Sequence, residues 1–348
     1  MSLPFPQSLE LRGERAGSLL PGVGLCVAIA SVSFGLQWAE VRWLGHPLVE
    51  GLVAAILIGA AVRSTVRLPD RLQAGIDFSA KQVMELAIVL LGASVELPLL
   101  LQAGPALAVG IAAVVVFGIL SGTFIGRALG LEPKHALLVA CGNAICGNSA
   151  IAAIAPAIGA KKEHVASAIA FTAVLGVVVV VGLPLLAPVL GLGDYEYGVL
   201  AGLTVYAVPQ VLAAAFPVSA LSGEVGTLVK LVRVLLLGPV VLVLTLLHRE
   251  RASAGTRLPL GKMVPWFIVG FVVLAVLRSA GTISAGVAGP MREASAALTL
   301  AAMAGLGLSV DVRSLRAVGR PVVLTVALSL AVLLAASLGL IRLLAITA

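Results

Sequence analysis

The sequence predicts an all-α polytopic membrane protein with about 9–11 transmembrane helices. Of its 348 residues, 60% are hydrophobic and 11% are charged, and the mean hydropathy is +1.13. Soluble domains carry roughly 25% charged residues, so a soluble core could not enclose this much apolar surface. The apolar runs are continuous over about 20 residues rather than alternating, which favours helices over a β-barrel.

Short connections join the apolar segments into one transmembrane domain over residues 1–348. The predicted segments cover residues 19–37, 47–63, 82–102, 104–129, 135–158, 163–190, 197–217, 225–247, 262–279, 291–311 and 320–342. With a cytoplasmic N-terminus, most loop Lys and Arg residues lie inside, and the C-terminus lies outside. Polar residues, Gly and Pro interrupt 135–158 and 197–217, which either cross as broken helices or re-enter as hairpins.

An internal repeat is visible at a constant offset of 215 residues. Leu91-Gly-Ala-Ser-Val-Glu96 matches Leu306-Gly-Leu-Ser-Val-Asp311. The copies cover approximately residues 20–129 and 235–344, and an odd number of spans between them predicts inverted repeats, as in alternating-access transporters. Chance similarity between apolar helices is the alternative. A weaker similarity at an offset of 61 relates residues 149–156 to 210–217.

Residues 141–152, CGNAICGNSAIA, place two Cys-Gly-Asn tripeptides in the middle of an apolar segment. A bilayer core tolerates broken backbone only where protein or a water-filled cavity satisfies it. A half-helix that starts near Asn148 and Ser149 would direct N–H groups and the positive end of its dipole at an anion. We therefore expect Asn143, Gly147, Asn148 and Ser149 to bind substrate. Close packing of small residues would explain the glycines but not the asparagines.

Two further segments carry candidate ligands. In 197–217, Pro209 removes a helical hydrogen bond, and Thr204 and Gln210 are polar groups close to the break. In 225–247, Lys230 and Arg233 lie one turn apart, and intramembrane cations are usually functional. We expect both cations to contact an anionic substrate, with Arg233 as a bidentate partner. Alternatively, a helix beginning at residue 225 would place Lys230 only about 8 Å deep, where it could snorkel.

Glu96 and Asp311 are repeat mates near the membrane edge, and they are candidate ion-coupling residues or helix caps. Coupling to sodium or protons is left open, and no other cofactor is expected. The three cysteines and four histidines form no metal-binding pattern. The basic residues lie in short loops, which argues against nucleic-acid binding. The chain lacks the motifs of ATP-driven or hydrolytic enzymes, so no enzymatic activity is expected.

Three motifs together resemble one protein family. They are CGNAICGNSAIAA at 141–153, TVYAVPQVLAA at 204–214 and KLVRVLLLGP at 230–239. The chain is similar to the UPF0324 family of bacterial inner-membrane proteins, also known as the sulfate exporter family. The resemblance implies a multipass carrier, distantly similar to bile-acid/sodium symporter-like carriers with inverted repeats and crossed broken helices. Family members commonly have His-Glu where this chain has Tyr206-Ala207, so a coupling role for that pair does not carry over.

These observations predict a single transporter domain that moves a small anion by alternating access. Sulfate, sulfite or an organosulfonate is the expected substrate, and the lipid bilayer and a second copy in a homodimer are the expected partners. The expected location is the bacterial inner membrane. The alternatives are a sodium- or proton-coupled carrier of an organic solute and, less favoured, a passive channel.

Overall fold

A computed structural model of the protein describes residues 10–44, 50–94, 104–247, 265–310 and 319–344, and it confirms the all-α membrane class. All regular elements within these ranges are helical. They are α1 (Glu10–Leu44), α2 (Gly51–Thr65), α3 (Asp70–Phe78), a π-turn (Ser79–Val83), α4 (Met84–Gly92), α5 (Gly104–Ala128), α6 (Pro133–Ala144), α7 (Asn148–Ile158), α8 (Lys162–Leu190), α9 (Asp194–Thr204), α10 (Val208–Ala215), α11 (Ala220–Leu235), α12 (Leu237–Leu247), α13 (Trp266–Ser279), α14 (Ala285–Leu308) and α15 (Arg320–Leu343).

Five helical stretches are long and apolar enough to span a bilayer, among the residues that the structure describes. They are Leu19–Trp43, Gly104–Ala128, Lys162–Leu190, Ala220–Leu247 and Arg320–Leu343. Their outward faces carry large apolar side chains, such as Phe117 and Phe124 on α5, which are 50% and 74% exposed. Such faces suit contact with lipid tails rather than water.

The helices pack as two bundles. Helices α1 to α4 pack with α13 and α14, and we call this group the flanking bundle. Helices α5 to α12 pack with α15, and we call this group the core bundle. The principal contacts between the two bundles are those of α2 with α8 and α10, and of α14 with α10.

The packing of the flanking bundle repeats at the offset seen in the sequence. Helices α2 and α13 begin at residues 51 and 266, and α3 and α14 begin at residues 70 and 285. A Cβ atom on Gly307 would lie 2.4 Å from the carbonyl oxygen of Ile56, and one on Gly92 would lie 2.4 Å from that of Phe271. Adding 215 to Ile56 gives Phe271, and subtracting 215 from Gly307 gives Gly92, so the two contacts exchange the copies. A two-fold relation between two copies would require such an exchange, and the repeat stays a prediction.

Helices α6 and α7 form a re-entrant hairpin, which we call hairpin one. Its two ends lie together, since Lys134 Nζ donates to the carbonyl oxygen of Gly159 at 2.8 Å and Lys161 Nζ lies 2.8 Å from Glu132 Oε1. The hydrogen bond from Lys161 holds the pKa of the Glu132 carboxyl below its ordinary value. The chain therefore leaves this segment on the face of the membrane at which it entered.

Helices α9 and α10 form a second such hairpin, hairpin two. Tyr197 Oη near its start donates to the carbonyl oxygen of Ala214 at its end, at 2.9 Å. Ser222 Oγ at the start of α11 donates to the carbonyl oxygen of Asp194 at 2.7 Å, so α11 begins where α9 begins. Helix α8 has 29 residues, about 43 Å at 1.5 Å per residue, and connects the two hairpins across the membrane. The hairpins therefore enter from opposite faces.

The tips of the hairpins meet inside the core bundle. The tip of hairpin one is residues 145–147 and that of hairpin two is residues 205–207, between the helices of each pair. Gly147 has φ of 65° and ψ of −125°, a conformation that strongly favours glycine. A Cβ atom on Gly147 would also lie 3.3 Å from the Cβ atom of Tyr206. The turn thus favours glycine at this position, and the neighbouring tip leaves little room for a side chain.

The hairpin arrangement predicts which loops share a membrane face. Single cysteines at Glu132 and Lys162, both exposed, should react with an impermeant thiol reagent from the same side of oriented vesicles. A cysteine at Gly193, next to the start of α9, should react from the opposite side. The native cysteines Cys26, Cys141 and Cys146 are buried and should contribute little background. Labelling of positions 132 and 162 from opposite sides would contradict the hairpin.

Candidate functional site

Two buried cations on α11 are the main polar feature of the core bundle. Lys230 and Arg233 are each 0% exposed. Helix α11 begins at Ala220, five residues before the predicted start, so Lys230 lies about 15 Å from the helix start and the snorkelling alternative fails. Among the described residues, neither cation forms a salt bridge with a carboxylate. Because unpaired charge inside a membrane is costly, other groups must compensate it.

The Arg233 guanidinium donates to main-chain carbonyl oxygens at the ends of two helices. Nε and Nη2 donate to Ala144 at 3.1 and 2.7 Å, and Nη2 also donates to Asn143 at 3.2 Å. Nη1 donates to Gly202 at 2.7 Å and Val205 at 3.4 Å. The carbonyls at the end of a helix have no partner within it, so these bonds satisfy the broken ends of α6 and α9. All three guanidinium nitrogens are thus occupied.

The Lys230 ammonium joins the same two ends. Its Nζ donates to the carbonyl oxygen of Ile145 and, at 2.8 Å, to that of Val205. We call Lys230, Arg233 and these carbonyls the tip clamp. The clamp places two positive charges at the negative dipole ends of α6 and α9, where cations are stabilising. The anion-binding fork expected of Arg233 is therefore used by the protein itself, and direct substrate contact by this side chain is not part of this conformation.

The amino-terminal end of α7 is open, in contrast to the clamped ends. Its N-cap is Gly147, which has no side chain to accept a hydrogen bond, and the next residues, Asn148 and Ser149, are exposed. Asn148 Oδ1 accepts a hydrogen bond of 2.6 Å from Thr172 Oγ1 of α8, which orients the amide. The positive end of a half-helix and two polar side chains are thus accessible at the level of the tips.

The amino-terminal end of α10 is closed. Pro209 has no N–H, and Gln210 Oε1 accepts a hydrogen bond of 3.1 Å from the Ala207 N–H. Gln210 is 3% exposed, and Thr204, 0% exposed, donates to the Leu200 carbonyl oxygen of its own helix at 2.7 Å. Thr204 and Gln210, expected from the sequence to bind substrate, are therefore engaged within hairpin two.

Two buried polar atoms near the tips have no hydrogen-bond partner within the described part of the chain. They are Asn143 Oδ1 and Tyr206 Oη, in side chains that are each 2% exposed. The amide nitrogen of Asn143 donates to Ser329 Oγ of α15 at 2.6 Å, so only its acceptor is left over. Buried polar atoms normally have partners, and these two are candidates to bind water or a ligand.

Sequence reasoning missed Thr172 and Ser329, which hold Asn148 and Asn143. Each is one of two or three hydroxyl residues in an apolar helix, where such groups commonly bond to their own backbone, so no local pattern could have identified them. The candidate coupling residues Glu96 and Asp311 lie outside the described residues. Within those residues, no group of three or more His, Cys, Asp or Glu side chains could hold a metal ion.

Comparison with known proteins identifies the family. Residues 21–326 match the family described as Conserved hypothetical protein 698. A UPF0324 membrane protein of Bradyrhizobium diazoefficiens is 51% identical over 331 residues, which cover 94% of each chain. The chain belongs to the UPF0324 family. A UPF0324 membrane protein of Agrobacterium fabrum is 52% identical over 342 residues, covering 98% of this chain and 97% of the relative. One from Bacillus cereus is 35% identical over 314 residues, covering 90% and 91%.

The resemblance expected from the motifs is thereby confirmed. In this UPF0324 protein the three motifs meet in space. The motif at 141–153 contains the tip of hairpin one, the motif at 204–214 contains the tip of hairpin two, and the motif at 230–239 contributes both cations of the tip clamp. The part of the sequence that carries the family likeness is thus the junction of the two hairpins.

The tip clamp predicts an unequal cost for two arginine substitutions. Arg233→Met should destabilise the protein by at least about 3 kcal/mol, because each buried acceptor left without a partner costs roughly 1–3 kcal/mol. Arg127→Met is the matched control, since Arg127 is exposed at the end of α5 and should change stability by no more than about 0.5 kcal/mol. Thermal unfolding of the purified proteins in detergent measures both. Equal unfolding temperatures would contradict the clamp.

Proposed function

We propose that this UPF0324 protein is a secondary active transporter of a small anion, with sulfate, sulfite and organosulfonates as the substrate class. It works by alternating access in a bacterial inner membrane, with a cytoplasmic N-terminus and an external C-terminus. The observation that supports this most strongly is the open, positive end of α7, which lies at the hairpin tips next to two buried cations. In transporters, such half-helix ends point at anionic substrate groups near the bilayer midplane.

The electrostatics of the tips favour an anion. The clamp holds the charges of Lys230 and Arg233 close to hairpin one, since both donate to carbonyls that precede Asn148 by three to five residues. Coulomb interactions are strong in a surrounding of low dielectric constant. An anion at the start of α7 would receive N–H groups of the helix end and the side chains of Asn148 and Ser149. The cations would act on it at a distance rather than by contact.

The two-bundle architecture supports alternating access. The hairpins approach the tips from opposite membrane faces, and the flanking bundle contacts the core bundle mainly through α2, α8, α10 and α14. A limited interface between two units permits their relative movement. Such movement could open the tips to one face at a time.

A second candidate function is transport of an organic solute, favoured by a cavity between the bundles. Its volume is about 990 Å³, which is at the upper end of the range for small-molecule pockets. Apolar side chains of α1, α10 and α14 line most of it, including Phe34 and Phe216, while Gln37, Glu50 and Arg292 supply polar groups. An amphipathic solute with one charged group suits this lining.

Transport by a carrier should show counterflow. Proteoliposomes preloaded with unlabelled sulfate should accumulate radioactive sulfate transiently and saturably, whereas liposomes without protein should not. Preloading with taurine or a bile-acid-like amphiphile, in place of sulfate, tests the organic alternative in the same assay. Flux that never saturates and shows no counterflow would indicate a passive channel and contradict the proposal.

The open end of α7 should determine anion affinity. Asn148→Ala and Ser149→Ala should each weaken sulfate binding roughly 10-fold or more, since a hydrogen bond to a charged group contributes about 1.5–3 kcal/mol. Ser121→Ala is the control for Ser149, because Ser121 Oγ donates to the Phe117 carbonyl oxygen on an exposed part of α5. Equilibrium binding of radioactive sulfate to purified protein measures the affinities. Unchanged binding by both Asn148→Ala and Ser149→Ala would exclude this site.

A further inference from the structure

We infer that Lys230 and Arg233 are built-in cations that fill the place of a coupling cation between the hairpin tips, so that the anion binds without sodium. This inference rests on the function proposed above. The two cations lie at the carbonyl ends of α6 and α9, whereas the proposed substrate site lies at the open amino-terminal end of α7.

Without the clamp, the tips would form a cation site. The carbonyl oxygens of Asn143, Ala144, Ile145, Gly202 and Val205 converge on the two side chains of α11. Main-chain carbonyls from unwound segments and half-helix ends are the groups that coordinate sodium in transporters with broken helices. Hard oxygen ligands of this kind suit small cations.

In this protein those oxygens are already occupied by N–H donors that carry the positive charge. Arg233 uses Nε, Nη1 and Nη2, and Lys230 bridges Ile145 of hairpin one and Val205 of hairpin two. Both side chains are 0% exposed and are covalently part of α11, so neither group can dissociate from the carrier. A free cation would have to displace one of them and would then be repelled by the other.

Covalent attachment has a direct consequence for coupling. When a coupling cation binds and dissociates, the gradient of that cation can drive transport of the substrate. A charge attached to α11 cannot leave the carrier, so it cannot couple transport in this way. It still supplies the positive potential that an anion needs at the start of α7. Transport of the anion through this site would then be driven by exchange for a second anion.

The test compares sulfate binding in sodium gluconate and in N-methylglucamine gluconate at equal ionic strength, using the purified full-length protein. For wild type, the dissociation constants should agree within about two-fold. Lys230→Met should bind sulfate at least about 10-fold more weakly in N-methylglucamine, and sodium, lithium or ammonium should restore part of the loss. These cations are small enough to reach the freed oxygens of Ile145 and Val205.

Lys134→Met is the matched control. Lys134 also donates to a helix-end carbonyl, that of Gly159, but at the mouth of hairpin one, where water can replace it. It should behave as wild type in both salts. Lys230→Gln, which keeps an N–H donor group and removes the charge, is the second variant if Lys230→Met does not fold. A sodium requirement of wild type, or equal binding by the Lys230 and Lys134 variants in N-methylglucamine, would overturn the inference.

The same samples separate this inference from the proposed function. If folded wild type binds no tested anion in either salt, the transport proposal fails at this site. Thermal unfolding then tests whether Lys230 acts as a built-in cation. Small cations should raise the unfolding temperature of the Lys230 variant but not that of wild type or Lys134→Met, and the absence of such a rise would overturn it.

Discussion

The structure depends on satisfying broken main chain inside a bilayer. Two hairpins end in the middle of the core bundle, and hydrocarbon offers no water to the carbonyl groups exposed at their tips. Lys230 and Arg233 meet this requirement by donating to both tips at once. One helix, α11, therefore joins two elements that enter from opposite faces. The close packing of α11 against α9, through Gly198 and Gly202, brings the cations within reach.

The same requirement makes the helix ends at the junction of the two hairpins differ from one another. At the carbonyl ends of α6 and α9, positive side chains and negative helix ends compensate each other. At the start of α10, Gln210 and Pro209 close the end from within the hairpin. The start of α7 differs from the other helix ends at the described tips, because its N-cap is a glycine and its next two residues, Asn148 and Ser149, are exposed. This difference between the helix ends, rather than the presence of polar residues alone, makes the start of α7 the candidate anion site.

Several features of the fold could be predicted because they depend on local composition. Continuous apolar runs identified the spans, and the glycines and asparagines at 141–149 identified the interruption of segment 135–158. The weak similarity between 149–156 and 210–217 corresponds to the second helices of the two hairpins, α7 and α10. The choice between crossing helices and hairpins could not be made, because it depends on contacts such as Lys134 with Gly159. A periodic pattern of apolar residues shows that a segment is buried, but it does not show on which face of the membrane the chain emerges.

The sequence by itself determined the membrane class, the interrupted segments and the presence of two cations at membrane depth. It did so because the cost of charge and of broken helix in hydrocarbon leaves few alternatives. Only the tertiary structure decided what those cations touch. Lys230 and Arg233 lie 85 and 89 residues from Ile145 and Ala144 along the chain, and the partners are main-chain oxygens, which every residue carries. Since the backbone is the same at all positions, no pattern of side chains could identify these acceptors.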